Sequence, residues 1–522
     1  MIGLPVSTMH PRRAATAARE PKHPGGTFLR TIHRVTAAAC TTAVLALAGA
    51  TQVAAAPAAE APAAKAPAAT GATTRAAVPA PADFNGDGYP DLAVGAPNAT
   101  VTGIKRAGAV SVIYGSATGL RTDRQQITTH ATPGIPGEPR HRSYGWGTEA
   151  AHGDLDHDGY DDLAVTDNGT ILVLWGGPAG LSGGTELPAG AGTTASPAIR
   201  SSSLAVGDVN GDGRQDLVLP AQVGPEFAGA TWGMAVRYGP FDRATGNPAK
   251  AVFRDTKAKD QVAVSGVRAG DMTGDGIADI VAMGTGAASS AFKALVLKGT
   301  RDGLVPGGSI DARHGGRFGD INGDGYQDFV GSPQRFIQQM TGGITVTFGG
   351  PDGVSRTLPA RFYDQASPGV PGVNEKGDRW GTDVALGDLD RDGYADIVVG
   401  ASWEGGTGEA TAVAGSITVL RGSRTGVTTT GARVLTQNTK GVPDTSEKSD
   451  HFGEAVTVLD ADRDGRPEVY VGGNGENTWV GRVWQLPTGP GGVLDTNGVT
   501  GARSFGMGAG NGSAHFGRWF SH

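Results

Sequence analysis

The sequence predicts an all-β protein built from seven repeats, and three observations lead to that fold class. A nine-residue acidic motif recurs seven times in the same frame along the chain. A short apolar run follows each copy, and such runs are typical of buried strands. The 522 residues include 86 glycines and 31 prolines, which supply turns between strands without reaching the level that indicates disorder.

Residues 154–162 display the motif in full, with carboxylates at positions 1, 3, 5 and 9 and glycine at position 6. Alternating side chains of such a loop point inward, the backbone carbonyl of position 7 adds an oxygen, and the glycine permits the tight turn. Oxygen ligands on a flexible loop favour Ca²⁺ over Mg²⁺. We therefore predict several structural calcium ions, held at positions 1, 3, 5 and 9 of the seven loops: Asp83, Asn85, Asp87, Asp91; Asp154, Asp156, Asp158, Asp162; Asp208, Asn210, Asp212, Asp216; Asp271, Thr273, Asp275, Asp279; Asp320, Asn322, Asp324, Asp328; Asp388, Asp390, Asp392, Asp396; and Asp460, Asp462, Asp464, Glu468.

These loops differ from an EF-hand, whose loop has twelve positions, ends in a bidentate glutamate and lies between helices. Here the last acid stands at position 9, and strand-like runs such as 92–94 come next. The loops are therefore predicted to join strand to strand. Thr273 occupies position 3 of the fourth loop in place of a carboxylate, so we expect that site to bind calcium most weakly.

Residues 1–56 are predicted to be a secretory signal peptide. Six Arg and Lys residues precede an apolar run from Val35 to Ala50, and small residues follow it. The alternative, a retained membrane anchor, fits less well because the run is short and rich in alanine. We expect the protein to be secreted and extracellular. Cys40 is the only cysteine, so the mature chain would contain no disulfide.

Residues 57–80 form a low-complexity segment of alanine and proline, which predicts a semi-extended spacer. From 81 to 522 the chain consists of the repeats. The formal net charge is -7, and the loops contain nearly half of the 51 acidic residues. The acidity is thus explained by cation binding. No basic patch points to a nucleic-acid partner.

Two further markers recur with the loops. A glycine-rich hairpin follows each loop, as in 175–181, and an aromatic-Gly pair precedes three of them by eight residues, at Trp146, Trp380 and Phe452. With Gly95-Ala96-Pro97, these features resemble the FG-GAP repeats of integrin α-chain propellers and of many secreted bacterial proteins. The resemblance implies a seven-bladed β-propeller in which each blade is one four-stranded sheet. Blades 3–5 lack the aromatic-Gly pair and are expected to be less regular.

The C-terminal residues are predicted to close the ring. Phe516-Gly517 repeats the aromatic-Gly pair, yet no acidic loop follows it. The first loop, conversely, has Arg75 where its aromatic residue belongs. We therefore expect residues 513–520 to supply the first strand of blade 1, which would remove two free sheet edges.

The blades are unequal on the face opposite the cation loops. Long segments with a shared turn precede loops two, six and seven, at 134–137, 369–372 and 441–444. In a closed ring these loops cluster on blades 6, 7, 1 and 2. Trp403 and Trp479 lie in glycine-rich loops of that sector and are our candidate ligand-contact residues. The alternative is that both are plugs packed on the blade rim.

Two function classes remain open. The first is a non-enzymatic, monomeric binding or adhesion-type module for an extracellular protein or carbohydrate. The second is a secreted hydrolase or lyase with its active site on the propeller. Ser182 lies in a Gly-x-Ser-x-Gly string, but a nucleophile elbow needs a strand before it and a helix after it, whereas this string overlaps a repeated hairpin. No catalytic residue is predicted, and the binding module is favoured.

Overall fold

The computed structural model describes residues 81–141, 146–167, 169–188, 198–199, 203–223, 231–286, 291–333, 341–405, 413–489, 499–507 and 513–521. The predicted signal peptide and spacer lie outside these ranges. Within them, no helix combines the length and apolar character needed to cross a membrane.

Seven antiparallel sheets follow one another along the chain and form the blades of a β-propeller. The strands are β1 (Leu92–Ala96), β2 (Ala109–Ile113) and β3 (Gln125–Thr128) in blade 1; β4 (Ala150–Gly153), β5 (Asp162–Asp167), β6 (Thr170–Trp175) and β7 (Ser182–Glu186) in blade 2; β8 (Ala198–Ile199), β9 (Ala205–Gly207), β10 (Asp216–Val223), β11 (Thr231–Phe241) and β12 (Pro248–Arg254) in blade 3; β13 (Val262–Gly270), β14 (Asp279–Gly286), β15 (Phe292–Lys298) and β16 (Val305–Ile310) in blade 4; β17 (His314–Gly319), β18 (Asp328–Ser332), β19 (Ile344–Thr347), β20 (Gly349–Gly350), β21 (Gly353–Val354) and β22 (Arg361–Tyr363) in blade 5; β23 (Val384–Gly387), β24 (Asp396–Ala401), β25 (Ser416–Arg421) and β26 (Thr428–Leu435) in blade 6; and β27 (Phe452–Leu459), β28 (Glu468–Gly473), β29 (Arg482–Leu486) and β30 (Arg503–Phe505) in blade 7. Two one-turn helices are α1 (Thr256–Lys259) and α2 (Glu476–Trp479).

Blades 2, 4, 6 and 7 are four-stranded sheets with strands paired in chain order, as predicted. Blade 5 keeps four strands and adds a small hairpin of β20 and β21. Blade 3 departs from the predicted pattern, because β8 and β9 both pair with β10 and together occupy the innermost position. Blades 3–5, which lack the aromatic-Gly pair, were expected to be less regular. Blades 3 and 5 depart from the four-stranded pattern, whereas blade 4 keeps it.

The second strand of a blade is its most buried element. Every residue of β1, β24 and β28 is buried, whereas the outermost strands β7 and β26 are largely exposed or half-buried. A strand covered by neighbouring blades on both faces needs apolar or small side chains at every position. The short apolar runs after the acidic loops meet this requirement, which explains why they lack polar alternation.

The aromatic-Gly pairs connect neighbouring blades. Each aromatic residue is at most 1% exposed and forms a parallel bridge to a glycine of the preceding blade. At Gly415, a Cβ atom would lie 2.1 Å from the carbonyl oxygen of Phe452, so only glycine allows this approach. The four bridges are Trp146 to Gly108, Trp380 to Gly342, Phe452 to Gly415, and Phe516 to Gly481.

The ring closes through the C-terminal residues, as predicted. Phe520 bridges antiparallel to Val94 of β1. The N–H of Gly95 donates to the carbonyl of Trp519, and the N–H of Ser521 donates to that of Ala93, both at 3.1 Å. Phe520 is 2% exposed and packs in a core shared by blades 7 and 1. Blade 1 therefore completes its four-stranded sheet with residues from the other end of the propeller.

Candidate functional site

The seven acidic loops share one hydrogen-bond pattern. The carboxylate at position 1 accepts from the backbone N–H of the glycine at position 6, at 2.7–3.0 Å in every loop. The carboxylate at position 5 accepts from the N–H of position 7, at 2.7–3.1 Å. The glycine at position 6 has φ between +81° and +94°, a region that glycine adopts without steric penalty. The loops are thus folded around their carboxylates.

The acid at position 9 connects the loop to the following hairpin of the same blade. In loop one, Asp91 accepts from the N–H of Phe84 at 2.8 Å and from that of Gly115 at 2.9 Å. Burial raises the pKa of Asp91 to about 7. The aspartates at position 9 of loops two, three, five and six make the corresponding pair of bonds. In loop four, Asp279 accepts instead from the N–H of Thr273 at position 3, and from that of Gly299. Sequence reasoning treated this position only as a cation ligand, whereas its carboxylate also joins two backbone turns.

Loop seven has a glutamate at position 9 and a different set of bonds. Thr488 stands where the other blades have glycine after the third strand, and its hydroxyl donates to the carbonyl of Pro467 at 3.1 Å. Glu468 accepts from the N–H of Ala461 at 3.3 Å and from the hydroxyl of Tyr470 at 3.4 Å. The longer side chain therefore reaches a hydroxyl donor that the other loops do not use.

Position 4 divides the loops into two groups. Loops one, three, four and five have glycine there, and a Cβ atom on Gly323 would lie 2.8 Å from the ring of Tyr394 in the next loop. Loops two, six and seven have His157, Arg391 and Arg463 at this position, with φ between +57° and +65°. That region is unfavourable for residues with a Cβ atom. These same three loops carry the additional carboxylate at position 3.

Three carboxylate oxygens lie within 4.8 Å of one another in each of loops two, six and seven. Ca²⁺ binds oxygen at 2.3–2.6 Å, so ligands of one ion lie at most about 5 Å apart. In loop two, Arg243 bonds to Asp156 and lies 2.5 Å from Asp158. In loop six, Arg421 lies 2.8 Å from Asp390. The acidic sites therefore attract cationic groups and have a spacing suited to calcium.

Loops with an amide or hydroxyl at position 3 are less acidic. The amide of Asn85 donates to Asp87 at 3.0 Å, and the asparagines of loops three and five make the same bond. In loop four, the hydroxyl of Thr273 lies 3.5 Å from Asp271, and its N–H donates to Asp279 at 2.9 Å. In these four loops, the side chain at position 3 thus lies within hydrogen-bonding distance of a carboxylate of its own loop.

An axial cavity of about 480 Å³ lies between the innermost strands. The two arginines that line it form ion pairs. Arg268 lies 2.9 Å from Glu149, and Arg317 lies 3.7 Å from Asp383. These ion pairs connect blades. The lining also contains four aspartates of the cation loops, Asp91, Asp161, Asp208 and Asp271, so the cavity is not our preferred ligand site.

On the face opposite the cation loops, five side chains form a continuous row, which we call the aromatic row. The guanidinium of Arg379 lies 3.7 Å from the ring centre of Trp403. The rings of Trp403 and His451 are 5.6 Å apart, and those of His451 and Trp479 are 5.0 Å apart. Trp479 stacks on His515 at 5.0 Å with an angle of 23°. The row runs across blades 6, 7 and 1.

The inter-blade bridges position this row. Arg379, His451 and His515 each directly precede a bridging aromatic residue, and all three have φ between +55° and +58°. Such a conformation is unfavourable for residues with a Cβ atom and is held by the surrounding structure. The N–H of His515 donates to the carbonyl of Trp479 at 2.9 Å. The strained positions therefore hold the rings in contact.

The long segments with the shared turn support the same loops. The Nε2 of Gln365 donates to Glu404 at 2.7 Å, and the Nε2 of Gln437 donates to Glu476 at 2.7 Å. Each glutamate lies beside a tryptophan of the row in sequence or in the same loop. The elaborated sector predicted from the sequence thus fixes the loops that carry Trp403 and Trp479.

Both candidate tryptophans are half-buried and not freely exposed. In the structure, His451 lies between them and contacts both. His451, Arg379 and His515 were not predicted from the sequence. The signal that could have found the histidines is the repetition of His-Phe-Gly at 451–453 and 515–517. Ser182 begins β7, and the next helix in the described part of the chain starts at Thr256, so a nucleophile elbow is not formed there.

Comparisons with known proteins agree with this architecture. The FG-GAP repeat model matches residues 76–113 and 380–420, and the FG-GAP-like repeat model matches 154–219. Integrin alpha-V of Gallus gallus is 31% identical over 251 residues, which cover 46% of this chain and 22% of that protein. Phosphatidylinositol-glycan-specific phospholipase D of Rattus norvegicus is 32% identical over 169 residues, covering 28% and 18%. This chain thus spans about a fifth of the length of these relatives.

Among solved structures, one concerning recognition of non-reducing terminal N-acetylglucosamine by an Agrocybe aegerita lectin matches with a TM-score of 0.42 and 14% identity. The match covers 81% of this chain and 91% of that chain. We draw no functional conclusion from a similarity of this size.

Proposed function

Since the chain carries FG-GAP repeats and folds as a seven-bladed propeller, we propose that it is a secreted, calcium-stabilised binding module for an extracellular protein or carbohydrate. Calcium is assigned to the seven acidic loops, in which it would neutralise the clustered carboxylates. The ligand is assigned to the opposite face, over blades 6, 7 and 1. The observation that carries this proposal is the aromatic row.

The aromatic row suits recognition of a flat, largely uncharged surface. Trp403 and Trp479 are half-buried, so part of each indole stays accessible while the rest is held by neighbours. Rigid aromatic side chains lose little conformational entropy on binding and offer a large contact area. Burial lowers the pKa of His451 and lowers that of His515 to about 4. Both histidines are therefore neutral at pH 7, and the middle of the row carries no charge.

The proposed ligand site is tested with a glycan array and an array of extracellular proteins, each probed with the full-length chain. We expect Trp403→Ala and Trp479→Ala each to weaken binding of the strongest hit by roughly 1–3 kcal/mol while leaving the melting temperature nearly unchanged. Trp232→Ala is the matched control, because Trp232 is also half-buried but lies on blade 3. That variant is expected to bind normally.

Two results would contradict the assignment. If both row variants bind like the wild type, the ligand docks elsewhere. If instead stability falls while the affinity of the folded fraction stays constant, the tryptophans are plugs. A panel of hydrolase and lyase substrates on the same preparation tests the enzymatic alternative directly.

A further inference from the structure

A second kind of acidic cluster lies in blade 6, on the face opposite the seven loops. One carboxylate oxygen from each of Glu375, Asp378 and Glu404 lies within 4.8 Å of the other two. The residues come from two separate segments, the long connection before β23 and the loop after β24. This cluster does not belong to the repeated nine-residue motif.

A buried amide oxygen without a partner accompanies the cluster. Gln365 is only 5% exposed, and its Nε2 donates to Glu404 at 2.7 Å. Its Oε1 is buried and has no hydrogen-bond partner among the residues that the structure describes. Because both amide atoms share one carbon, Oε1 also lies near the carboxylate of Glu404. A buried acceptor left unsatisfied costs about 1–3 kcal/mol, and a bound cation would remove that cost.

The charge of the cluster is uncompensated in the described part of the chain. None of the ion pairs formed there involves Glu375, Asp378 or Glu404. Like charges held this closely require either protons or a cation.

We propose that Glu375, Asp378, Glu404 and the Oε1 of Gln365 form a further divalent-cation site that prefers Ca²⁺. Three carboxylates and one amide oxygen form a set of hard ligands. Oxygens up to 4.8 Å apart suit Ca²⁺, with bonds of 2.3–2.6 Å, better than Mg²⁺, with bonds of 2.0–2.1 Å. The site goes beyond the proposed function, and it stands whether or not the aromatic row binds a ligand.

Blade 7 contains the same residue types without the same convergence. Glu447, Asp450, Glu476 and Gln437 occupy the corresponding positions, and the amide of Gln437 bonds to Glu476 just as that of Gln365 bonds to Glu404. The Oε1 of Gln437 is likewise buried without a partner among the described residues, so the two blades differ in how the carboxylates converge. Within the described residues, however, these three carboxylates do not form a cluster with the same mutual distances. Blade 7 therefore offers a matched control in the same molecule.

The test counts calcium ions bound per full-length chain by equilibrium dialysis. Glu404→Gln and Asp378→Asn are each expected to bind one calcium fewer than the wild type, whereas Glu476→Gln is expected to bind the same number. Melting curves recorded in chelator show whether each variant is folded before calcium is added. The acidic loops are unchanged in all three variants, so they contribute equally to every count.

The proposal is overturned if folded Glu404→Gln and Asp378→Asn both bind as many calcium ions as the wild type. It is equally overturned if Glu476→Gln loses the same one equivalent, because a general loss of acidity on this face would then explain the result. Should one blade 6 variant fail to fold, the other decides the outcome. Binding of glycans or proteins is not used as a readout, so failure of this site is distinguishable from failure of the proposed function.

Discussion

The two faces of the propeller differ in how regular their loops are. On one face, seven loops repeat a single hydrogen-bond pattern with only small changes at positions 3, 4 and 9. On the other, the aromatic row occurs on three adjacent blades and includes two tryptophans that lie outside the repeat pattern. A feature repeated around the whole ring serves every blade equally, and we take it to stabilise the fold. A feature confined to one sector distinguishes that sector, and it is the better candidate for recognition.

Ring closure is common to both faces, and removing it has the largest expected effect. Ending the chain at Asn511 deletes Phe516 and Phe520, which are buried at the junction of blades 7 and 1. We expect the truncated protein to aggregate or to lose its cooperative melting transition, because two sheet edges become free. Deleting residues 57–78 is the control and should change little. A truncated protein that melts like the full chain would show that closure does not depend on these residues.

Chelation is expected to act mainly on the face of the seven acidic loops. Excess EDTA should lower the melting temperature by many degrees, because uncompensated carboxylates then repel one another in the folded state only. Added Ca²⁺ should restore it. Loop four, with Thr273, is expected to lose its ion first, and Thr273→Asp should delay that loss. An unchanged melting curve in EDTA, measured by calorimetry, would exclude calcium as the stabilising element of the loop face.

A pH titration gives the smallest and most local effect, at the end of the aromatic row. Burial lowers the pKa of His515 to about 4 from its ordinary 6.5. Between these pH values, His515 is protonated in the unfolded chain but stays neutral in the folded chain. The contribution of His515 to the free energy of unfolding therefore falls as the pH drops from about 6.5 to 4. His515→Asn removes the titrating group, and asparagine tolerates the positive φ found there.

We therefore expect wild type to melt above His515→Asn at pH 7.5, and the difference to narrow as the pH approaches 4. Carboxylates titrate alike in both proteins, so their contribution cancels in the comparison. A difference in melting temperature that stays constant with pH would mean that His515 is not held neutral by burial.

Much of the loop face could be predicted from sequence because its structure is local. A nine-residue motif contains its own hydrogen-bond donors and acceptors. The closing strand could be predicted because Phe516-Gly517 repeats the aromatic-Gly pair of other blades. The aromatic row could be predicted only in part, because Trp403 meets His451 through the packing of two blades. The bond from Gln365 to Glu404 likewise joins positions 39 residues apart. Contacts of this kind depend on blade geometry, which no local pattern specifies.

The closing strand also determines when blade 1 can be completed during synthesis of the chain. β1 cannot gain its inner neighbour until residues 519–521 have been made, about 430 residues after β1 itself. At a synthesis rate of about 5–20 residues per second, this interval lasts roughly 20 to 90 seconds. Throughout that time the first blade to emerge from the ribosome has an open edge at β1, whose residues are all buried in the folded protein. We therefore expect the nascent chain to be prone to association with neighbouring chains on the polysome until residues 519–521 have been made.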